Sequence, residues 1–276
     1  MDATDAALLA RLPAGDAVLL RLDLAALRKA GLLDLLSRVP VAEEPDYRAF
    51  VRGTGFDYKT DLDAALAAFH SSGTFFFVRG RFNWKRLSDY SRARGGACSG
   101  GFCQVPGSTP ERRISFFPLR SGLMALAVSR DEAAARRLDH RPAGSPAAGL
   151  PPYPVWLSIP PAALKSGASF PSAARLLLGS MEEARNVLLA LAPQGDRLEV
   201  LLEVQCRSGE QAAALIKDLE MITSTLRELV GDPDATPGAA GLAGLLTSGR
   251  FSADAARVTG RWPVTREFIE RAFSSP

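Results

Sequence analysis

The chain has 276 residues, 47% of them hydrophobic and 23% charged, enough for one large globular domain or two of ordinary size, and not the composition of a disordered chain. A formal net charge of +3 is too small to mark a nucleic-acid or anionic-membrane partner by itself. No apolar run approaches the roughly 18–20 residues that span a bilayer.

The N-terminus lacks the basic region and long apolar stretch of a signal peptide, since Asp2 and Asp5 precede only the short apolar patch Ala6–Ala10. Taken literally the chain is cytoplasmic. One whose leader had been removed would read the same and would be periplasmic or secreted.

Taken in order, Ala3–Arg11 reads as a helix ended by Pro13, and Ala17–Leu22 as a buried strand. Asp23 can cap a helix over Leu24–Leu36, whose leucines recur at helical spacing. Pro40–Pro45 is a loop, and Tyr47–Arg52 a short helix closed by Gly53 and Gly55. Asp61–Phe69 is alanine-rich but precedes a turn, Ser71-Ser72-Gly73, and the strand Thr74–Arg79, so it is read as a strand too. Asn83 can cap a helix over Trp84–Arg94.

Glycine-rich Gly95–Cys103 reads as a flexible hairpin loop. Strands Ile114–Leu119 and Leu123–Val128 then flank Arg120-Ser121-Gly122. Asp131–Leu138 reads as a helix with charges outward, and Arg141–Pro154, rich in proline, glycine and alanine, as a linker.

The second half opens with the strand Val155–Ile159 and a turn or short helix over Pro160–Lys165, then a helix over Phe170–Leu178. Strands Val187–Ala192 and Leu198–Cys206 flank the turn Pro193–Asp196. Leu198, Val200, Leu202, Val204 and Cys206 alternate with Glu199, Leu201, Glu203 and Gln205, which marks one buried face. Ser208 and Gln211 form a capping-box pattern before a long helix with apolar positions Ala212, Leu215, Ile216, Leu219, Ile222, Leu226 and Leu229, ended by Gly231 and Pro233. Asp232–Ala240 is a loop and Leu242–Leu246 a helical turn. Short strands Gly249–Phe251 and Arg257–Arg261 follow, and Pro263 opens a last helix, Val264–Phe273.

The two starts align, Val18–Leu27 against Val155–Leu164, with Ala25-Ala26-Leu27 matching Ala162-Ala163-Leu164. A strand-turn-strand-helix unit recurs, Asp61–Arg94 against Val187–Val230, and each half closes with a hairpin and a helix. The expectation is an α+β protein with an internal duplication: residues 1–140, a linker over 141–154, and residues 155–276. Each half is read as an antiparallel sheet with helices on one face, in the β-α-β-β-α-β order of ferredoxin-like folds.

Leu12-Pro13-Ala14-Gly15-Asp16-Ala17 is followed by a hydrophobic strand and an Ala/Leu-rich helix. Gly55-Phe56-Asp57 with Asp61-Leu62-Asp63 comes next, and then Gly80-Arg81-Phe82. In these phrases the chain resembles a loose group of uncharacterised, often exported bacterial proteins with a duplicated ferredoxin-like unit. The resemblance covers much of the first half; it implies export and supplies no activity.

Candidate chemistry is sparse. His70 and His140 are the two histidines, and neither Gly-x-Ser-x-Gly nor a zinc ligand spacing is present. The acidic pairs Glu43-Glu44, Asp61 with Asp63, and Glu182-Glu183 read as solvated acids or caps, with Asp61 and Asp63 on one strand face. Asp57, Asp61 and Asp63 lack the glycine and distal glutamate of an EF-hand. Gly95–Gly101 lacks the Gly-Lys-Ser/Thr ending of a P-loop. Arg79, Arg81, Lys85 and Arg86 beside Phe82 and Trp84 could stack on RNA, but they read better as core aromatics beside a solvated cationic face.

Cys206 reads as a core residue. Cys98 and Cys103 are spaced for a disulfide that would pin their loop, and such a bond favours an oxidising compartment.

No catalytic, cofactor-binding or metal-binding residue is assigned, and no cofactor. The expected function is a non-enzymatic binding or scaffold protein of the cell envelope, with an unknown protein or small-molecule partner and no nucleic acid. A homo-oligomer remains open. Contacts are expected at the cleft between halves, the Gly95–Cys103 loop or sheet edges. The alternatives are a carboxylate-based metal enzyme and a nucleic-acid-binding module.

Overall fold

A computed structural model describes residues 3–13, 15–31, 45–140, 150–165, 178–194, 197–230 and 246–264. The chain divides into two compact units, Met1–Ala26 with Val41–Pro152, and Leu27–Pro40 with Tyr153–Pro276. Both are mixed α/β, and every strand pairing described in them is antiparallel.

In the first unit α1 (Ala3–Leu9) precedes β1 (Val18–Asp23); α2 (Leu24–Lys29), which the division crosses after Ala26, starts on the cap expected of Asp23, whose Oδ1 accepts from Ala26 N–H at 2.8 Å. Next come α3 (Pro45–Thr54), α4 (Tyr58–Asp61), β2 (Leu62–His70), β3 (Gly73–Gly80) and α5 (Trp84–Ala93). The unit closes with β4 (Ala97–Ser99), β5 (Phe102–Val105), β6 (Arg113–Arg120) and β7 (Leu123–Ser129). Asp131–Leu138, expected as an α-helix, instead carries a 3-10 helix over Ala134–Asp139.

The strands lie in the order β1-β2-β3-β7-β6-β5-β4. This corrects the ferredoxin-like expectation. A split β-α-β unit needs parallel neighbours joined by a crossover, whereas β1 pairs antiparallel with β2, Val18 facing Phe69 and Asp23 facing Ala64.

A second correction concerns the helices. On one face of this sheet Leu66, Ala68, Phe75, Phe77, Leu123, Ala125 and Ala127 are buried together with Leu8 and Leu12 of the N-terminal segment and Ala134, Ala135 and Leu138 of the 3-10 helix. On the other face Cys103, Phe116 and Met124 pack with Leu87 of α5, and Phe50 of α3 joins them. Helical segments therefore cover both faces. The cause is legible in β7, where Leu123–Val128 is apolar without alternation, as a strand buried on both sides must be.

Polar groups tie α1 to the first face. Asp5 is 2% exposed; its Oδ2 accepts from Arg21 Nε at 3.1 Å and its Oδ1 from Arg79 Nη2 at 2.8 Å. Arg21 also donates from Nη2 to Asp23 Oδ2 at 2.8 Å. The one residue of β1 that is fully buried is thus an arginine.

The second unit holds β8 (Val155–Ile159), α6 (Pro161–Lys165), β9 (Asn186–Gln194), β10 (Arg197–Gln205), α7 (Gly209–Val230), β11 (Arg250–Asp254) and β12 (Arg257–Val264). Its strands lie in the order β8-β9-β10-β12-β11. The capping box is present in shifted form. Ser208 Oγ accepts from Gln211 N–H at 3.2 Å, and Gln211 Oε1 reaches back to Arg207 N–H at 2.7 Å. Along α7, Ala212, Leu215, Leu219 and Thr223 form the buried stripe.

Pro263 does not open a helix as expected but continues β12 opposite Glu199 of β10. The neighbouring β11 ends opposite Arg261, so proline stands beyond the reach of that partner and is tolerated. The expected Phe170–Leu178 helix, apart from its last residue, lies outside the described residues. So do the Asp232–Ala240 loop, most of the Leu242–Leu246 turn, the body of the last helix, most of the linker, and the end of the Leu24–Leu36 helix.

Candidate functional site

The phrases Gly55-Phe56-Asp57, Asp61-Leu62-Asp63 and Gly80-Arg81-Phe82 converge on one structural brace. Asp57 caps α4 by accepting from Lys59 N–H at 2.9 Å, and the same oxygen accepts from Tyr47 Oη at 2.8 Å. Burial, with the adjacent Asp57 carboxylate, pushes the Tyr47 phenol well above its ordinary range. Asp61 Oδ2 accepts from Asp57 N–H at 2.9 Å, while Arg81 donates to Oδ1 from Nε at 3.1 Å and Nη2 at 2.9 Å. The backbone N–H of Asp57 and then Arg81 hold this carboxyl below the usual range against the opposing effect of burial.

Phe56 stacks on Phe82 at 5.2 Å and 13°. A side chain at Gly80 would collide with the Asp61 carbonyl, so the close crossing there requires glycine. Asp61 ends α4 and a bulge separates Leu62 from Ala64, so Asp61 and Asp63 do not share the strand face expected of them.

The remaining candidates have local roles. His70 Nδ1 lies 2.8 Å from Ser72 Oγ and accepts from Ser72 N–H at 3.1 Å. His140 is an exposed residue beyond the 3-10 helix. Glu183 faces Lys165 at 3.9 Å and Arg207 at 3.7 Å, Glu182 is exposed, and Glu43-Glu44 lies outside the described residues. Among the described residues no three His, Cys, Asp or Glu side chains converge as metal ligands. Arg79 binds Asp5, Arg81 binds Asp61, and Lys85 reaches Asp89 at 2.8 Å, all within the chain.

The Gly95–Cys103 stretch is ordered by two glycine devices. At the end of α5, Gly95 N–H bonds the Arg92 carbonyl at 3.0 Å and Gly96 N–H bonds the Ser91 carbonyl at 2.9 Å. With Gly95 at φ +78°, this is a Schellman stop. Gly100 and Gly101, at φ +57° and +82°, then form the two-residue turn that joins β4 to β5. Cys98 and Cys103 are directly opposed in that ribbon with Cα atoms 4.1 Å apart, the spacing of a non-hydrogen-bonded pair, and their sulfurs are at disulfide distance. Cys206 is a free buried thiol, as expected of a core cysteine, and burial pushes its pKa up.

Between this hairpin, α5 and α3 the first unit opens a cavity of about 580 Å³. Its floor is Val105 of β5, Ile114 and Phe116 of β6, and Met124 and Leu126 of β7. Leu87, Tyr90 and Ser91 of α5 and Phe50 of α3 form the wall, and Pro106, Gly107 and Ser108 the rim. Phe50 meets Tyr90 edge-on at 5.5 Å, and Gly53 lets α3 close on the Tyr90 ring, where a built methyl would stand 2.5 Å from Cδ2.

Ile114, Leu126, Val105 and Phe50 are only half-buried although apolar, because the helices do not fill the floor's face. Ser91 Oγ is occupied, donating to the Leu87 carbonyl at 2.8 Å. Volume and lining fall within the range of small-molecule pockets, roughly 300–1,000 Å³. None of these residues except those near the Gly95–Cys103 loop was marked by sequence as a site. Each lining residue reads in sequence as ordinary core or loop.

No protein-family model matches the chain, and no curated protein matches it. The fold does have a solved counterpart. Crystal form III of TP0453 matches with a TM-score of 0.55 over 97% of this chain and 98% of that one, at 14% identity. Crystal form I matches with a TM-score of 0.53 over 98% of each, also at 14% identity. The likeness is one of fold.

Proposed function

We propose that this chain is a non-enzymatic binding protein of the bacterial cell envelope, holding a small apolar molecule in the pocket of its first unit. The observation that carries the proposal is the set of half-buried aliphatic residues on the β5–β7 floor, apolar surface left open inside a shaped cavity. The Cys98–Cys103 pair supports a location outside the cytoplasm, since disulfides persist in oxidising compartments. The resemblance to often exported proteins points the same way.

We also read the two units as an internal duplication. β1-β2-β3-β7-β6 and β8-β9-β10-β12-β11 have the same order, with a helix after the first and the third strand of each. Superposition of the two units in a crystal structure tests this, and strands that did not correspond in that order would remove it.

The binding role is tested with N-phenyl-1-naphthylamine, a neutral dye that brightens in apolar surroundings. It should bind the purified chain at unit stoichiometry. Ile114→Trp, filling the pocket from its floor, should weaken binding about tenfold or more while circular dichroism and melting stay near wild type. Undiminished binding by a folded Ile114→Trp variant would place the dye elsewhere. The location is tested by the intact mass of protein from its native cells, alkylated while denatured. One alkyl group, at Cys206, is expected without reductant and three after reduction. Three without reductant would contradict an oxidised envelope protein.

A further inference from the structure

We infer that the Cys98–Cys103 bond is a redox gate on this pocket, retaining the ligand when oxidised and releasing it when a dithiol reduces it; the inference rests on the binding role proposed above. Bond and pocket share side chains. Cys103 is 1% exposed and lies in one apolar cluster with Leu87, Phe116 and Met124, all three of which line the cavity. Two positions further along β5 stands Val105 of the floor, and the rim Pro106–Ser108 follows it.

The bond also lies against the helix that forms the wall. Cys98 Sγ is 3.8 Å from the Ser88 carbonyl oxygen of α5, and Ser88 Oγ is 3.7 Å from Cys103 Sγ. Free thiols stand further apart than bonded sulfurs, and Cys103 sits in a packed cluster that cannot absorb the difference. The displacement falls on β4, three residues long and outermost in the strand order. From β4 it passes to Gly96, where a side chain would collide with the Gln104 and Ser91 carbonyls, and so to the last turn of α5. Tyr90 and Ser91 of that turn are cavity wall.

The geometry sets the order of the exchange. Cys98 is half-buried and Ser99, Gly100 and Gly101 beside it are exposed, so a reductant meets Cys98 before Cys103. One thiolate of the dithiol attacks Cys98 Sγ, the S–S bond breaks, and Cys103 leaves with the electron pair and takes up a proton. Ser88 Oγ–H is the donor placed for that departing sulfur. The second thiolate then attacks the mixed disulfide and Cys98 departs and is protonated. The reductant ends as its own disulfide, having given up two electrons.

Titration of the full chain with N-phenyl-1-naphthylamine, before and after dithiothreitol under native conditions, tests this. The reduced chain should bind about tenfold more weakly with its circular dichroism unchanged, and reoxidation should restore the affinity. Cys98→Ala with Cys103→Ala should bind as weakly as the reduced chain and ignore the reductant. Ser88→Ala should slow the reduction, and an unchanged rate would overturn the part given to Ser88. Equal affinity of the oxidised and reduced chains, or a bond that dithiothreitol leaves intact in the folded chain, overturns the gate and leaves the pocket standing. Loss of circular dichroism on reduction would make the bond a structural staple and overturn the gate as well. Refusal of the dye by the oxidised chain overturns both readings.

Discussion

Asp5 stands where arginines from two different strands meet, Arg21 of β1 and Arg79 of β3, and it is almost wholly buried. Replacing it with alanine leaves Arg21, 6% exposed, short of a carboxylate it depends on. A loss of about 3–5 kcal/mol is expected in urea denaturation, and a loss below about 1 kcal/mol would mean the group is not buried as described.

Asp61 works at a smaller scale because Arg81 is 68% exposed and its attraction is screened. Asp61→Asn should cost about 1 kcal/mol at pH 7. Its carboxyl lies below the ordinary range when folded, so the stabilisation is present above the unfolded value of about 3.9 and lost as pH falls through the folded one. The stability gap between wild type and Asp61→Asn should therefore close between pH 5 and strong acid, and a gap that widened there would contradict the assignment. Neither partnership was legible in sequence. Arg21 lies 16 residues from Asp5, Arg79 74, and only the fold brings them together.

At the scale of elements, the signals that sequence carries best are local ones. Asp23, Asn83 and Ser208 cap the helices expected of them because a cap needs only the next three residues. Gly95–Cys103 was legible as a hairpin, yet not as two devices, since Gly95 and Gly96 serve α5 while Gly100 and Gly101 serve the β4–β5 turn. The Cys98–Cys103 bond spans 5 positions and closes a small loop, so its removal should be modest. Cys98→Ala with Cys103→Ala is expected to lower stability by about 2 kcal/mol, read as an earlier urea midpoint, and an unchanged midpoint would show that the ribbon holds without it. The 3-10 helix and the strand character of Pro263 were not legible, because both depend on neighbours across the sheet: Ser115 Oγ accepts from Ala135 N–H at 3.1 Å, and Glu199 faces Pro263.

At the scale of the molecule, sequence carried the element order of each unit but not the strand order. Element order follows from periodicity and turns, whereas pairing β1 with β2 across α2, α3 and α4 is a long-range choice. The pocket was hidden for a related reason. Its walls come from α3, α5, three strands and one loop, and each contributing residue is an ordinary core apolar until the helices leave it partly uncovered.

The most direct test of the account is a crystal structure of the full chain grown with N-phenyl-1-naphthylamine. The account expects one dye molecule lying over Ile114, Met124 and Leu126. Electron density for the ligand elsewhere on the chain, with this cavity holding only water, would contradict it.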